Sequence, residues 1–582
     1  MTTFVPAEVD ATTFPPLEPL FRDLLERPVT SPGALEAWLL DRGELIAAVG
    51  EGRSRLYIAM TCRTGESQTQ EAFTRYLEDV APRLSPLFFE LDTRLVDLER
   101  AHRLDEARYA VLLRNARADV AIFRPENVPL VTEIDKLAQQ YDQVCGAMTV
   151  EFDGQTRTPS QMARYLELPE RATRERAWRS VAERRLNDRE RVDAIYDELV
   201  ALRTRVARNA GFDTYTPYAF AQLHRFDYGV AACERFHEAV EREIVPLVRR
   251  LEAQRARTLG VQTLRPWDLA VDVKGRPPLR PFDTGADLIA RMRTVFRRLD
   301  PRLGELFERL GDGTESVRSD ADVGRVRLDL DSRPGKAPGG YQSMLHRSRV
   351  PFIFMNAAGL QRDVMIMAHE AGHAFHSMLC EHEPLVEYRD APIEFAEVAS
   401  MAMELLSMRH WGPLGPGRAF YDDDESFRRA QRDQLQQTIS RLPWIATIDA
   451  FQHWVYANPG HTRDARTAQW LALDARFGSS VSWEGLEPAR DAAWQRQGHL
   501  FSYPFYYIEY AIAQLGALQL WLDAVEKDEA DAIGRYTSAL ALGGSRPLPE
   551  LFARAGLPFD FGPEIVSRLA EGVERHLERL PE

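Results

Sequence analysis

The chain has 582 residues, of which 45% are apolar and 28% charged, so it is longer than a single hydrophobic core keeps growing, and more than one substructure is expected. Its formal net charge of −15 is the wrong sign for displacing counterions from phosphates, and no run of about 18 uncharged apolar residues is present to span a bilayer, so neither nucleic acid nor membrane is an expected partner. Four widely separated cysteines, Cys62, Cys145, Cys233 and Cys380, form no Cys-x-x-Cys pair, which argues against a disulfide framework and against a thiolate zinc site.

The segment Met1 to Asp23 carries Glu8, Asp10 and Glu18 among prolines instead of a basic stretch followed by an apolar one. No leader peptide is expected, and the cytoplasm is the expected location. Over the first 260 or so positions, charged residues alternate with Leu, Ala and Val at three- and four-residue spacing, as in Asp188 to Ala207, which predicts amphipathic helices. One break falls at Thr149 to Gln155, where Asp153-Gly154 predicts a hairpin turn and Thr158-Pro159-Ser160 a helix start. A second break runs from Gly311 to Met355. There Arg325 to Asp331 alternates like a strand, a loop rich in Pro and Gly follows from Arg333 to Tyr341, and an apolar run closes at Val350 to Met355. These features predict a mainly α protein with a small β-sheet just upstream of the chemistry. A division near residue 190 separates an N-terminal helical region, 1–190, from a catalytic region, 191–582.

The chemistry begins at Met365 to His376, where His369-Glu370-Ala371-Gly372-His373 is set in a helical pattern with Asp363 available as an N-cap. On a helix His369 and His373 lie one turn apart on one face, and both imidazoles can reach a single Zn²⁺ at about 2.0–2.1 Å. Glu370, rotated roughly 100° from His369, is placed to bond the water that attacks and not the metal. Apolar neighbours make these three polar groups costly to bury without a partner. Gly372 costs about 1 kcal/mol relative to Ala in a helix, which implies that something approaches the backbone there.

A catalytic zinc site needs a third protein ligand. The helix expected from Pro392 to Glu404 offers Glu397 as that ligand, Glu404 as an acceptor orienting a ligand imidazole, and Glu394 as an alternative ligand. A longer motif with a third histidine is excluded, because His376 and Leu379 occupy its Gly and His positions. Near the C-terminus, His499 to Tyr510 contains four tyrosines. Tyr503, Tyr507 and Tyr510 follow an i, i+4, i+7 stripe, which fits core packing or, beside a zinc site, donors to the oxyanion of a tetrahedral intermediate. Tyr503, Phe354, Gly339 and Gly340 are candidate substrate contacts, and the strand Phe352 to Met355 is a candidate edge for pairing with substrate backbone.

Together these residues resemble the oligoendopeptidase F and Pz-peptidase branch of the thimet oligopeptidase family of zinc peptidases. The resemblance rests on His369 to His376, Glu397-Val398-Ala399-Ser400, Asp331 to Lys336 and the His499 to Tyr510 block. Gly211 to Tyr215 and Arg265 to Leu269 extend it upstream. It implies one Zn²⁺ per chain held by His369, His373 and Glu397, with Glu370 as general base. His499 and Tyr510 would contact substrate or oxyanion, with Tyr507 a close competitor for Tyr510. It also implies a multi-helix clamshell with a deep substrate channel, oligopeptide substrates cut at internal bonds, and a monomer or homodimer. Two other readings use the same residues: a metallocarboxypeptidase, and a peptide-binding protein that has lost its metal.

Overall fold

The structure, a computed structural model, describes residues 3–581 apart from 334, 338 and 416. It is mainly helical, with a two-stranded and a three-stranded sheet. By packing, the chain divides into two compact units, each assembled from three stretches. The first comprises Met1–Pro125, Arg280–Gln431 and Ile512–Phe559, and the second comprises Glu126–Leu279, Arg432–Ala511 and Asp560–Glu582. This division by packing is separate from the functional division expected near residue 190. Among the described residues, no helix is long and apolar enough to cross a membrane.

In the first unit, the long helix Pro32–Cys62 starts at an N-cap, Ser31, whose hydroxyl accepts the Ala34 N–H at 3.2 Å, and Pro32 at the first helical position needs no bond for its missing N–H. Its buried Arg42 pairs with both Asp92 and Glu387, so one cation ties three segments of this unit together.

The three-stranded sheet of this unit has the order β3 (Leu328–Asp331), β5 (Val350–Ala357), β4 (Tyr341–Leu345), with β3 parallel and β4 antiparallel to β5. The apolar run Val350 to Met355 is therefore the central strand, and burial on both faces explains why it does not alternate. The strand expected from Arg325 starts at Leu328, because Arg325 is drawn into ion pairs with Glu315 and Asp322. The loop from Arg333 to Tyr341 is pinned from inside. Lys336 Nζ stands 2.8 Å from Asp329 Oδ1 and donates to the carbonyls of Asp329 and Asp331, while Arg333 donates to Asp329 Oδ2 at 2.8 Å. Although desolvation opposes it, these two cations hold the Asp329 carboxyl below its ordinary value. Pro334 and Pro338 of this loop lie outside the described residues.

In the second unit, the expected hairpin is present as β1 (Val150–Phe152) and β2 (Gln155–Arg157), with Asp153 and Gly154 at φ of 49° and 72°. Both values lie in the left-handed region that a tight two-residue hairpin turn needs. Thr158 caps the next helix in a capping box with Gln161. Asp268, fully buried, is clamped by Arg171 at 2.7 Å and Arg174 at 3.0 Å. Buried Arg203 donates to Tyr456 Oη at 2.8 Å and to the Leu500 carbonyl at 2.9 Å, anchoring the backbone just after His499.

Candidate metal centre and active site

The motif lies on the helix Gln361–Leu379 of the first unit. Asp363, expected as the N-cap, sits instead at the third helical position. The cap is Leu360, and the Asp363 carboxylate accepts the N–H groups of Ala358 and Leu360 at 2.7 and 3.0 Å. It thus ties the end of β5 to the start of the motif helix.

His369 and His373 stand one turn apart with ring centroids 4.9 Å from each other. The helix Ile393–Leu406 brings in Glu397, whose Oε2 lies 3.4 Å from His369 Nε2 and 3.8 Å from His373 Nε2. One donor atom from each of the three residues falls within 4.8 Å of the others. Two atoms each about 2.0–2.1 Å from a tetrahedral ion are themselves about 3.4 Å apart. The spacing of the donors therefore fits a zinc-sized cation. Glu394 lies outside this group, as does His376, which is buried one turn further along the helix.

Close approach of the two helices depends on Gly372, where a β-carbon would stand 2.4 Å from the Ala399 carbonyl oxygen. The Tyr536 hydroxyl donates to that same carbonyl at 2.8 Å. Around the donors, Glu404 Oε1 lies 2.8 Å from His369 Nδ1, which fixes the ring with Nε2 toward Glu397. Ser400 Oγ donates to Glu397 Oε2 at 3.1 Å.

The charges follow from burial and neighbours. Burial pushes the Glu370 carboxyl up to about 7, against the opposing pull of His369 and a hydrogen bond from the Gln342 backbone on β4. Desolvation works to lower His369, but the hydrogen bond to Glu404 and the charge of Glu397 raise it to about 9. Burial and the neighbouring imidazole of His369 push His373 well below its ordinary value. Glu370 is thus a buried carboxyl poised near neutrality beside two imidazoles and a carboxylate.

Phe354 does not present an edge. It lies on β5, paired on both sides, with its ring stacked 4.9 Å from that of Tyr341 and Lys336 Nζ 4.6 Å from its centroid. Its side chain packs the sheet, and the outer strand next to Glu370 is β4. This corrects the expectation that Phe352 to Met355 supplies a pairing edge. Gly339 and Gly340 are exposed and lead directly into β4. Gly339 has φ of 98°, and Asn356 Nδ2 donates to its carbonyl at 3.0 Å.

The tyrosine block lies in the second unit. His499 opens the short helix His499–Ser502, and Tyr507 opens the helix Tyr507–Glu526. Gln497 Nε2 is 2.8 Å from His499 Nδ1, while Gln497 Oε1 accepts the Tyr507 hydroxyl at 2.7 Å and the Trp444 indole N–H at 3.1 Å. The Tyr510 hydroxyl is 3.4 Å from His499 Nε2. Tyr503 is 64% exposed, so it is not core packing. Gln497 is absent from the sequence reading, and Ser400 enters it only as part of the Glu397 to Ser400 segment, with no role assigned. Ser400 is three residues beyond Glu397, a helical offset that marks it, whereas nothing in the periodicity singles out Gln497.

A family model described as peptidase family M3 matches residues 164–566. The chain is similar to the oligoendopeptidase F homolog of Borreliella burgdorferi, 26% identical over 229 residues, which are 38% of this chain and 37% of that protein. It is also similar to the oligoendopeptidase F homolog of Lactococcus lactis subsp. lactis, 23% identical over 332 residues, 56% of this chain and 50% of that protein. The chain thus spans half or less of the length of these curated relatives. Among solved structures, Pz peptidase A with an inhibitor superposes with a TM-score of 0.87 at 27% identity, covering 97% of both chains.

Proposed function

Because the chain belongs to peptidase family M3, we propose that it is a zinc-dependent endopeptidase that hydrolyses internal bonds of short, unfolded peptides. The observation that carries this reading is the convergence of His369, His373 and Glu397, with donor atoms within 4.8 Å, beside the buried carboxyl of Glu370. Two imidazoles and one carboxylate make up the ligand set of a catalytic zinc, which leaves a coordination position open. When bound, zinc supplies a Lewis acid and lowers the pKa of water to about 7.

The protein's own groups do the rest. Glu370 accepts the proton of the attacking water at a carboxylate oxygen and passes it to the leaving amine. Glu404 fixes the tautomer of His369, so that Nε2 remains a donor toward the cation. The outer strand β4, whose Gln342 backbone bonds Glu370, is suited to align an extended substrate by backbone pairing. His499 and Tyr510 are carried by the resemblance as contacts to substrate or oxyanion. The Gln497 network that orients His499 supports a polar role for that block.

The test is mass-spectrometric mapping of fragments from a peptide blocked at both termini, before and after chelation and with zinc restored. We expect internal cleavage that chelation abolishes and zinc restores. Trimming only of free ends would favour a carboxypeptidase, and cleavage indifferent to chelation would remove the metal from the mechanism.

A further inference from the structure

A second group of metal-binding side chains lies in the second unit. The helix Val230–Ala239 places Cys233 and His237 one turn apart, and the helix Asp424–Ala457 does the same for Asp449 and His453. Cys233 Sγ, a carboxylate oxygen of Asp449 and a ring nitrogen of His453 fall within 4.8 Å of one another. Cys233 and Asp449 are fully buried.

The hydrogen bonding around these residues is incomplete. His237 Nε2 bonds Asp449 Oδ2 at 2.9 Å. Among the described residues, the buried atoms Asp449 Oδ1 and His453 Nε2 have no hydrogen-bond partner, and His453 Nε2 stands 3.5 Å from Asp449 Oδ2. The walls are aromatic. The His453 ring lies 5.1 Å from Phe505, and the His237 ring lies 6.4 Å from Phe477. Two such buried polar atoms on adjacent side chains are unfavourable unless something bridges them.

We propose that Cys233, Asp449 and His453 form a second divalent-metal site, with His237 holding Asp449 Oδ2 so that Oδ1 is free to coordinate. A sulfur, an imidazole nitrogen and one carboxylate select a borderline cation such as zinc over magnesium or calcium. On binding, the thiol proton of Cys233 leaves to solvent, and thiolate and carboxylate together balance the charge of the ion. The role is structural. His453 packs on Phe505, whose N–H donates to Gln452 Oε1 at 2.6 Å and whose φ is 65°, so the ion braces the strained turn that leads into Tyr507.

The experiment uses the full chain loaded with Co²⁺, with metal content read by mass spectrometry and thiolate ligation by near-ultraviolet charge-transfer absorption. His373→Ala removes a ligand of the first site, which contains no sulfur. We expect two ions per chain in the unaltered protein, and one with a thiolate band in His373→Ala. In His373→Ala with Cys233→Ser we expect no band and cobalt affinity lowered tenfold or more. If the Cys233→Ser chain loses its helical circular dichroism, His453→Gln, which keeps the thiol, is read instead and should also lower affinity tenfold or more. Cobalt bound to the unaltered chain without a thiolate band, a band that survives Cys233→Ser, or only one ion per unaltered chain and no band overturns the second site, whereas one ion with the band is a failure of the first. The thiolate band separates this outcome from any failure of the first site, because only Cys233 of the proposed ligands can produce it.

Discussion

Gly372 and Ala399 touch backbone to backbone: a β-carbon at Gly372 would lie 2.4 Å from the Ala399 carbonyl oxygen and 2.6 Å from the Cα of Ser400. On an exposed helix, replacing Gly by Ala gains about 1 kcal/mol. Here the methyl group forces apart the two helices that carry His369, His373 and Glu397, and overpacking of that kind costs about 1–3 kcal/mol. The signs oppose, so the experiment discriminates. Gly372→Ala should lower the denaturant midpoint and weaken zinc binding together. A variant as stable as the unaltered chain would disprove the contact.

The Glu404 carboxylate acts through His369, whose Nδ1 it holds at 2.8 Å. Removing an orienting partner of a ligand imidazole typically costs about 10–100-fold in metal affinity. Glu404→Ala should therefore weaken zinc by that factor in a chelator competition, and Glu404→Gln, which keeps an acceptor but not the charge, by less. Equal affinity in all three proteins would show that His369 needs no support.

Much of the grouping of the candidate residues is legible in the sequence, for reasons that differ from residue to residue. The histidines and Glu370 sit within five positions of one helix, so a helical period suffices to place them. Glu397 was reachable because carboxylates in a small, apolar helix are conspicuous. Phe354 was misread as part of an edge strand because an apolar run looks the same at the centre of a sheet, and strand order is set by tertiary pairing. Asp363 is displaced by three positions from the expected cap because a carboxylate at the cap and one at the third helical position both bond N–H groups at the start of a helix, and the sequence does not separate the two. The Cys233 and Asp449 groups are separated by more than two hundred residues. Each pair alone is a commonplace i, i+4 spacing, and only folding brings the two together.

Glu370→Gln is nearly isosteric and leaves His369, His373 and Glu397 in place. It should retain zinc by mass spectrometry while kcat falls by at least the roughly 10²–10⁴-fold attributed to a general base. Full turnover in this variant would remove Glu370 from the reaction, and loss of zinc would mean that it helps to hold the ion.

The pH profile follows from the same carboxyl. Glu370 accepts a proton only when ionised, and burial raises it from 4.5 to about 7. The group's contribution is therefore present above that value and lost as pH falls through it. A bound cation pulls the value down while desolvation holds it up, so the acid limb of kcat/KM should have its midpoint between these two limits. A profile that stays flat down to 4.5 would mean that another group takes the proton.

Tyr507 and Tyr510 can be separated by their hydrogen bonds. The Tyr507 hydroxyl is committed as a donor to Gln497 Oε1 at 2.7 Å, whereas that of Tyr510 stands 3.4 Å from His499 Nε2, a longer and weaker contact that a substrate oxygen can displace. If Tyr510 donates to the oxyanion, Tyr510→Phe should lower kcat roughly 100-fold with little change in KM, the signature of an interaction made only in the transition state. Tyr507→Phe should cost less, and its effect should be non-additive with that of Gln497→Leu, because both act on the orientation of His499 through one hydrogen-bonded group. A larger kcat loss in Tyr507→Phe, additive with Gln497→Leu, would transfer the oxyanion role to Tyr507.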